Sequence, residues 1–271
     1  MITRSATLNV MMSAARKAAR GLIRDFGEVE QLQVSLKGPS DFVSSADLKT
    51  EKILRQELQK ARPAFGFLME EGGRIEGSDA SHRWIIDPID GTTNFLHGIP
   101  HFAISIGLER DGEIIAGVVY EPVHDEMFHA EKGAGAYLNE HRLRVSARRR
   151  MDEAIFATGI PYKGRPGHRQ FLADAEAVMA NSAGIRRFGS AALDLAYVAA
   201  GRYEGYWESG IKAWDIAGGI VLVREAGGYV TDFDGQGDML QKGEVVAAND
   251  QLHRPLFSLL QSVRKDGGHP D

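Results

Sequence analysis

The 271-residue chain contains no cysteine, so the sequence excludes disulfide bonds, thiolate metal sites and a thiol nucleophile. It also lacks any run of about 18 apolar residues, the length that a membrane-spanning helix needs. Near the start, Arg4, Arg16 and Arg20 interrupt the apolar pattern that a signal segment would keep uncharged. The formal net charge of −5 offers no general surface for polyanions. We therefore expect a cytoplasmic protein, in a reducing compartment and without a membrane partner.

The composition is that of a globular protein, with 43% hydrophobic and 25% charged residues. A chain of 271 residues can form one large domain or two smaller ones. A run of arginines breaks the apolar pattern in the middle of the chain, at Arg142, Arg144, Arg148, Arg149 and Arg150. We predict a boundary there, which divides the chain into an N-terminal domain (1–146) and a C-terminal domain (147–271). No aromatic residues alternate with these arginines, which favours a solvated linker over a nucleic-acid contact.

Apolar residues recur at helical spacing in the first part of the chain and predict helices at about 4–26 and 47–60, with a loop at 37–41. Asp111-Gly112 and Asn139-Glu140 separate alternating segments and predict hairpins. Beyond residue 146, strands and helices alternate, which is typical of α/β organisation. We predict strands at 154–158, 185–188, 204–208, 229–231 and 244–248, and helices at 168–180, 190–200, 215–226 and 250–264.

The most informative motif is the heptad Asp-Pro-Ile-Asp-Gly-Thr-Thr that begins at Asp87, directly after an apolar run. The residue before a proline favours extended backbone, so Asp87 is expected at a strand end, with the proline helping the chain turn until Asp90 faces it. Hard cations such as Mg²⁺ prefer oxygen ligands of this kind. The backbone N–H groups of Gly91 and Thr92, at the start of a following helix, favour a phosphate oxygen. Taken alone, the heptad is also ordinary turn chemistry.

Two distant acidic segments point to the same chemistry. Glu70-Glu71 ends an apolar stretch, and Asp215 begins a helical run. Viewed singly, the glutamates could be a solvated strand end, and Asp215 could be a first-turn acid that the helix dipole favours. Together with Asp87 and Asp90 they describe one site. Carboxylates about 4 Å apart repel by roughly 4 kcal/mol at an effective dielectric near 20, so these groups could converge only around cations.

These segments resemble the signatures of the Mg²⁺-dependent, lithium-sensitive inositol monophosphatases. The matching residues are Glu70-Glu71, the string from Trp84 to Phe95, and Trp214-Asp215 followed by Glu225-Ala226-Gly227-Gly228. The resemblance spans roughly residues 37–249, and segment 189–202 is most similar to bacterial SuhB-type members. It implies α+β and α/β structure in a layered α/β/α/β/α sandwich, with a largely antiparallel sheet in the first half, a mixed sheet in the second and the site between them. It also implies a homodimer.

The resemblance further implies an inositol-phosphate phosphatase that uses two or three Mg²⁺ ions, is inhibited by Li⁺, and hydrolyses myo-inositol 1-phosphate and related polyol or sugar phosphates. The implied metal ligands are Glu70, Asp87, the Ile89 carbonyl, Asp90 and Asp215. The implied catalytic groups, which would orient an attacking water, are Glu70 and the Thr92 hydroxyl with Asp47 as its partner. The implied substrate-binding residues are Asp90, Gly91, Thr92, Arg186, Ala191, Glu208 and Asp215. From position alone, Asp47 could also cap a helix with Ser44, and Glu208 could be a plain strand-end acid.

The sequence departs from the family pattern at Met69 and Gly72, where a glycine before and a serine after the glutamates are usual. Lys212 stands where some relatives have histidine, which leaves the alcohol open. Histidinol phosphate, fructose 1,6-bisphosphate and nucleotide 3′-phosphates are alternative substrates. SuhB-type relatives also suggest another class of function, a non-catalytic partner in bacterial transcription complexes on ribosomal RNA operons.

Two competing site types are less well supported. Phosphatases with an aspartyl nucleophile use Asp-x-Asp-x-Thr, whereas Asp87 and Asp90 are three residues apart. The string that begins at Asp232 has the right spacing but lacks the hydroxyl, and we predict a turn there. His97 and His101 are four apart, but a glycine and a proline between them prevent the helix that would present both to a zinc ion.

Overall fold

The computed structural model describes residues 4–28, 34–38 and 41–266. Helix α1 (Ala6–Gly27) begins where Ser5 Oγ accepts a hydrogen bond from the Leu8 amide at 3.0 Å, and its apolar stripe is buried. This confirms the first predicted helix. Helix α2 (Ser45–Ala61) begins two residues before its predicted start, because Ser44 and Asp47 form a capping box.

The prediction of a loop at 37–41 is wrong for residues 37, 38 and 41, which belong to strands. Strands β1 (Val34–Gly38) and β2 (Asp41–Ser44) form an antiparallel hairpin in which Gly38 pairs with Asp41. Pro39 and Ser40 lie outside the described residues. Backbone pairing between the two strands extends further towards the turn than the local glycine and proline signals indicate.

The first large sheet contains strands β3 (Phe65–Met69), β4 (Gly73–Ile75), β5 (Asp79–Asp90), β6 (Ala103–Arg110), β7 (Glu113–Glu121), β8 (Glu126–Glu131), β9 (Gly135–Leu138) and β10 (His141–Arg142). Helix α3 (Thr92–Leu96) lies between β5 and β6 in the chain. The strand order is β10-β9-β8-β7-β6-β5-β3-β4, and neighbours are antiparallel except for β3 and β5. Both predicted hairpin turns are confirmed, since Asp111 and Asn139 adopt positive φ angles of 51° and 52°.

The second half contains a 3₁₀ helix (Met151–Glu153), β11 (Ile155–Thr158), α4 (His168–Asn181), β12 (Gly184–Arg186), α5 (Ala191–Ala199), β13 (Gly205–Ser209), α6 (Ala213–Glu225), β14 (Tyr229–Thr231), α7 (Met239–Lys242), β15 (Glu244–Ala248) and α8 (His253–Asp266). The strand order is β12-β11-β13-β15-β14, with parallel pairs around β11 and antiparallel pairs around β15. The sheet is therefore mixed, as predicted. Helix α8 begins later than expected, because Asn249 Oδ1 accepts the Leu252 amide at 2.8 Å in a turn before it.

Helices and sheets alternate in five layers. Helices α1 and α2 pack on one face of the first sheet, α5 and α6 lie between the sheets, and α4 and α8 cover the far face of the second sheet. One apolar cluster crosses the centre and includes Ile85 and Val119 from the first sheet with Tyr206 and Val245 from the second. This confirms the layered sandwich. The division of the chain near residue 146 stays a prediction.

Among the described residues, none of the helices combines the length and the apolar character needed to cross a membrane.

Helix α6 packs so closely on the first sheet that Gly117 has no room for a methyl group. A Cβ there would lie 2.3 Å from the Gly218 carbonyl oxygen, and this helix backbone cannot rotate away. We expect Gly117→Ala to lower the free energy of unfolding by about 1–3 kcal/mol. Gly21 is a matched control, since a Cβ there meets nothing within 4 Å. Gly21→Ala should raise the free energy of unfolding by about 0.5–1 kcal/mol in its helix. Urea denaturation measures both, and an undiminished stability of Gly117→Ala would contradict this packing.

Candidate metal and phosphate site

Asp87 and Asp90 lie on a bulge at the end of β5. Asp87 pairs with Ser105 and Asp90 with Ala103, so β5 carries one residue more than β6 across this interval. The strand thus continues through the proline to Asp90, where the sequence suggested a turn. Pro88 has no N–H to donate to a regular ladder, and the bulge removes that demand. Both aspartates are buried.

The backbone reverses at Gly91, whose φ is 96°, a left-handed conformation that glycine adopts without strain. A Cβ there would lie 3.1 Å from the His101 carbonyl oxygen and 3.2 Å from the Gly189 carbonyl oxygen. Helix α3 then begins at Thr92. The Thr92 hydroxyl oxygen lies 2.9 Å from the Ile89 carbonyl oxygen and 3.3 Å from Asp47 Oδ1. Since the hydroxyl has one proton, it donates to one of these oxygens at a time.

Asp47 makes both of the contacts that the sequence left open, one with Ser44 and one with Thr92. Its Oδ2 atom accepts hydrogen bonds from the Ser44 amide at 2.8 Å and the Ser44 hydroxyl at 2.6 Å, which caps α2. Its Oδ1 atom faces the Thr92 hydroxyl. One buried carboxylate therefore connects the start of α2 to the site.

Glu70 follows β3, and the amides on both sides of its Cα are held. The Glu70 amide donates to the Ile86 carbonyl at 3.2 Å, and the Glu71 amide donates to Glu51 Oε2 at 2.8 Å. Because Glu51 lies one helical turn beyond Asp47 on α2, this helix supports both the Glu70 loop and Thr92.

The departures from the family pattern at Met69 and Gly72 compensate for each other. A Cβ at Gly72 would lie 2.8 Å from Met69 Cε and 2.9 Å from Glu51 Oε1. The methionine side chain thus occupies space that a serine at position 72 would need. The loop nevertheless places Glu70 on the wall of the cavity.

In both Asp215 and Asp90, one of the two carboxylate oxygens accepts the hydrogen bonds that orient the side chain. Asp215 lies in the first turn of α6, where its Oδ2 atom accepts the Lys212 amide at 2.8 Å. Asp90 Oδ2 accepts the Ser190 hydroxyl at 2.5 Å and the Ala192 amide at 2.7 Å. These bonds come from the second half of the chain, so both halves shape the site.

Asp87, Asp90 and Asp215 each offer a carboxylate oxygen, and these atoms all lie within 4.8 Å of one another. They line a cavity of about 400 Å³. Other residues predicted for the site also line this cavity, namely Glu70, Ile89, Gly91, Thr92, Ala191 and Glu208. The structure thus brings together Glu70, which follows β3, and residues from β5, α3, α5, β13 and α6.

Burial raises the pKa of Asp87 well above its usual value, and the neighbouring carboxylates of Glu70, Asp90 and Asp215 raise it further. The pKa of Asp90 is also raised well above its usual value by burial and by Asp215, although hydrogen bonds from Ser190 and Ala192 oppose the shift. The pKa of Asp215 is raised by burial as well. Burial is the main cause of all three shifts, and repulsion between neighbouring carboxylates adds to those of Asp87 and Asp90.

This arrangement fits a divalent metal. Among the described residues, no lysine, arginine or histidine forms an ion pair with Asp87, Asp90 or Asp215. The donors are oxygens, the set that Mg²⁺ prefers over softer metals. Within the same part of the chain, this trio is the one group of three or more acidic or histidine side chains close enough to share an ion. The histidines are therefore not gathered into a zinc site there.

Glu208 lies on β13 and lines the cavity, and its Oε2 atom accepts a hydrogen bond from the Tyr206 hydroxyl at 2.5 Å. Burial raises the pKa of Glu208 to about 7, against the lowering effect of the Tyr206 hydrogen bond and with a further rise from Asp215.

The raised pKa of Glu208 predicts a pH-dependent difference between the wild type and Glu208→Gln. The folded-state pKa of about 7 exceeds the ordinary value of 4.5, so the folded protein holds this proton more tightly than the unfolded chain does. The stabilisation is fully present below about pH 4.5 and is lost as the pH rises through about 7. In chelated protein, the stability of Glu208→Gln relative to the wild type should therefore increase across this window. Urea denaturation at both ends measures it, and a constant difference would show that the shift is absent.

Arg186 does not reach the cavity, although the resemblance placed it near the substrate. It is exposed at the end of β12, where its guanidinium donates to the Ile185 carbonyl at 3.0 Å. Arg187 and Arg165 lie on the cavity wall instead. Successive side chains of an extended segment point to opposite sides, so a shift of one residue decides which arginine faces the site.

Sequence reasoning also missed Ser190 and Asp194, which line the cavity. Ser190 had a detectable signal, since it is the N-cap of α5 and precedes a clear helical pattern. Asp194 looks like an ordinary first-turn acid.

The turn predicted at Asp232 is confirmed, since its Oδ1 atom accepts hydrogen bonds from the amides of Asp234 and Gln236 at 2.9 Å and 2.7 Å.

Comparison with known proteins agrees with this geometry. Residues 4–265 match the inositol monophosphatase family. The inositol-1-monophosphatase of Mesorhizobium japonicum is 58% identical over 264 residues, which cover 97% of this chain and 98% of that protein. The Nus factor SuhB of Pseudomonas aeruginosa is 43% identical over 258 residues, covering 94% and 95%. The crystal structure of extragenic suppressor protein SuhB from Bartonella henselae has a TM-score of 0.92 at 57% identity and covers 95% of this chain and 99% of its own. The chain therefore belongs to the inositol monophosphatase family.

Proposed function

We propose that the protein is a Mg²⁺-dependent phosphomonoester hydrolase that acts on myo-inositol 1-phosphate and related small polyol or sugar phosphates. The observation that carries the proposal is the convergence of Asp87, Asp90 and Asp215 in a cavity of about 400 Å³, beside the Thr92–Asp47 pair. The 58% identity to an inositol-1-monophosphatase supports the same activity. Inhibition by Li⁺, a homodimeric state and a cytoplasmic location stay predictions.

Glu70, Asp87, the Ile89 carbonyl, Asp90 and Asp215 are the proposed ligands of Mg²⁺. When bound, the ions supply positive charge that makes a water more acidic and stabilises charge on the leaving oxygen. The bonds from Ser190 and Ala192 fix one oxygen of Asp90, and the Lys212 amide fixes one oxygen of Asp215. Each carboxylate thus keeps its second oxygen for a cation or a substrate hydroxyl.

Thr92 and Glu70 are the proposed groups that orient the attacking water. If the Thr92 hydroxyl donates its proton to Asp47, its oxygen lone pairs can accept a hydrogen bond from water. The same rotation releases the Ile89 carbonyl from Thr92 and leaves it available as a ligand. Glu70, fixed by the amides around it, accepts from the water on another side.

The phosphate is proposed to lie against the backbone amides of Gly91 and Thr92, where the positive φ of Gly91 brings the backbone close to the cavity. The alcohol would then lie toward Ala191 and Glu208, which also line the cavity. Glu208 is suited to accept a hydrogen bond from a hydroxyl group of the substrate.

A panel of phosphate esters tests this function. We expect phosphate release in Mg²⁺ from myo-inositol 1-phosphate, measured beside histidinol phosphate, fructose 1,6-bisphosphate and a nucleoside 3′-phosphate. The highest kcat/KM should belong to a polyol phosphate. A strong preference for one of the other three would reassign the substrate, and no release from any ester would refute the function.

A second candidate is a binding role in a bacterial transcription complex. The observation in its favour is the 43% identity to a protein named Nus factor SuhB. Both roles can coexist, because the cavity lining includes no residue of α1, α2, α4 or α8, so a partner could contact these outer helices without entering the site. A variant inactivated at Asp90 separates them, since a partner-binding role would persist in it.

A further inference from the structure

Two tyrosine–carboxylate pairs lie next to the cavity. The Tyr206 hydroxyl donates to Glu208 Oε2 at 2.5 Å, and the Tyr203 hydroxyl donates to Asp194 Oδ1 at 2.5 Å. Tyr206 itself is fully buried and lies outside the cavity lining, whereas Glu208 is on it. Any influence of Tyr206 on a bound substrate must therefore pass through Glu208.

The position of Tyr206 in strand β13 restricts the movement of its side chain. Tyr206 and Glu208 are two residues apart on β13, so their side chains project from the same face of the second sheet, while Trp207 packs in the cluster on the other face. Strand β13 is hydrogen-bonded on both sides, to β11 and β15. Tyr206 also packs within the central apolar cluster. In this pair the carboxylate is the part that could move, and the phenol is the part that cannot.

Glu208 is confined from a second direction by Gly159. A Cβ at position 159 would lie 2.0 Å from Glu208 Cδ, so the carboxylate packs directly on the glycine backbone. The phenol and this backbone together hold Glu208 in one orientation. Burial also raises the pKa of Tyr206 well above its ordinary value, and therefore its hydroxyl remains a donor.

We propose that Tyr206 is a positioning residue: by occupying Oε2 of Glu208, it leaves Oε1 as the acceptor for a hydroxyl group of the substrate alcohol. This inference rests on the proposed function and defines what this wall of the cavity recognises, which is a hydroxyl donor on the alcohol rather than the phosphate. The hydrolysis of substrates without such a hydroxyl should not depend on Tyr206.

Two esters separate hydroxyl recognition from chemistry at the phosphate, namely myo-inositol 1-phosphate and 4-nitrophenyl phosphate, which has no hydroxyl. Tyr206→Phe should raise KM for the inositol ester about tenfold and change its kcat by less than about twofold. Both constants for the nitrophenyl ester should stay within about twofold of the wild type. A general disturbance of the metal site would instead lower turnover of both esters.

Tyr120→Phe is the matched control, because it removes a buried tyrosine hydroxyl that donates to the carboxylate of Asp125, and neither residue lines the cavity. It should cost similar stability and leave the ratio of kcat/KM values for the two esters unchanged. In a Glu208→Ala background, Tyr206→Phe should no longer alter this ratio, since the group that it positions is gone.

Gly159→Ala provides a second route if Tyr206→Phe folds poorly. The three heavy atoms nearest to the added methyl group all belong to the Glu208 carboxylate, which must therefore move, and the same loss of preference for the inositol ester is expected. If the wild type hydrolyses both esters and neither variant changes their ratio, the positioning role is overturned while the proposed function stands. If the wild type hydrolyses neither ester, the proposed function fails, and this inference fails with it.

Discussion

Asp90→Asn and Asp215→Asn should each lower kcat by at least about 100-fold, the loss expected when a major stabiliser of the transition state is removed. Each substitution removes one negative charge from the trio and keeps the shape of the side chain. An asparagine oxygen can still accept the bonds that Ser190 and Ala192 donate to position 90, and the Lys212 amide can still donate to position 215. The fold should therefore persist.

Initial rates of phosphate release, with circular dichroism to verify folding, measure this effect. Asp152→Asn is the matched control, because Asp152 is an exposed acid in the short 3₁₀ helix and its carboxylate forms an ion pair with Arg150. It should retain activity within about twofold. If Asp90→Asn or Asp215→Asn also stays within a factor of two, the ligand assignment is wrong.

The second large effect is on stability. The carboxylates of Asp87, Asp90 and Asp215 repel one another when no cation is bound, so Mg²⁺ that binds only the folded state should stabilise the protein by about 2.7 kcal/mol at one hundred times its Kd. Asp87→Asn removes the charge that Glu70, Asp90 and Asp215 all oppose. Its metal-free melting temperature should therefore equal or exceed that of the wild type, while the rise on adding Mg²⁺ shrinks sharply.

Thermal unfolding of both proteins, with and without Mg²⁺, gives the four values needed. Sodium chloride free of Ca²⁺, added at the same ionic strength as the Mg²⁺ salt, controls for general screening of charges. Equal Mg²⁺ responses in the two proteins would show that Asp87 is not a ligand. A lower metal-free stability of Asp87→Asn would show that the carboxylate has a structural partner more important than the repulsion.

The acidic residues of the site could be predicted because each lies at a local boundary that the sequence marks. Glu70 ends an apolar run, Asp215 opens a helical one, and the proline after Asp87 marks an irregular point in the strand. The bulge itself was not predicted. Its position depends on the pairing of β5 with β6, and strand register is set between distant segments.

The groups that orient the acids could not be read from local patterns. Ser190 bonds to Asp90 across 100 positions of the sequence, and Thr92 faces Asp47 across 45. Such contacts arise when the layers pack together, and no periodic pattern along the chain predicts them. The position of Arg186 outside the cavity lining has a related cause, since one residue at the end of a short strand reverses the direction of a side chain.

Short elements were missed for a different reason. Helix α7 has four residues and the 3₁₀ helix has three, too few to show a helical period. In contrast, α1 and α6 were predicted well because an apolar pattern continues over several turns.

The measurement that tests the central claim most directly is phosphate release from myo-inositol 1-phosphate after exhaustive chelation, followed by return of Mg²⁺. The claim is that Asp87, Asp90 and Asp215 converge to hold cations that the hydrolysis requires. We predict no release above background from the chelated protein and full recovery when Mg²⁺ is restored. Undiminished release after chelation would contradict the claim.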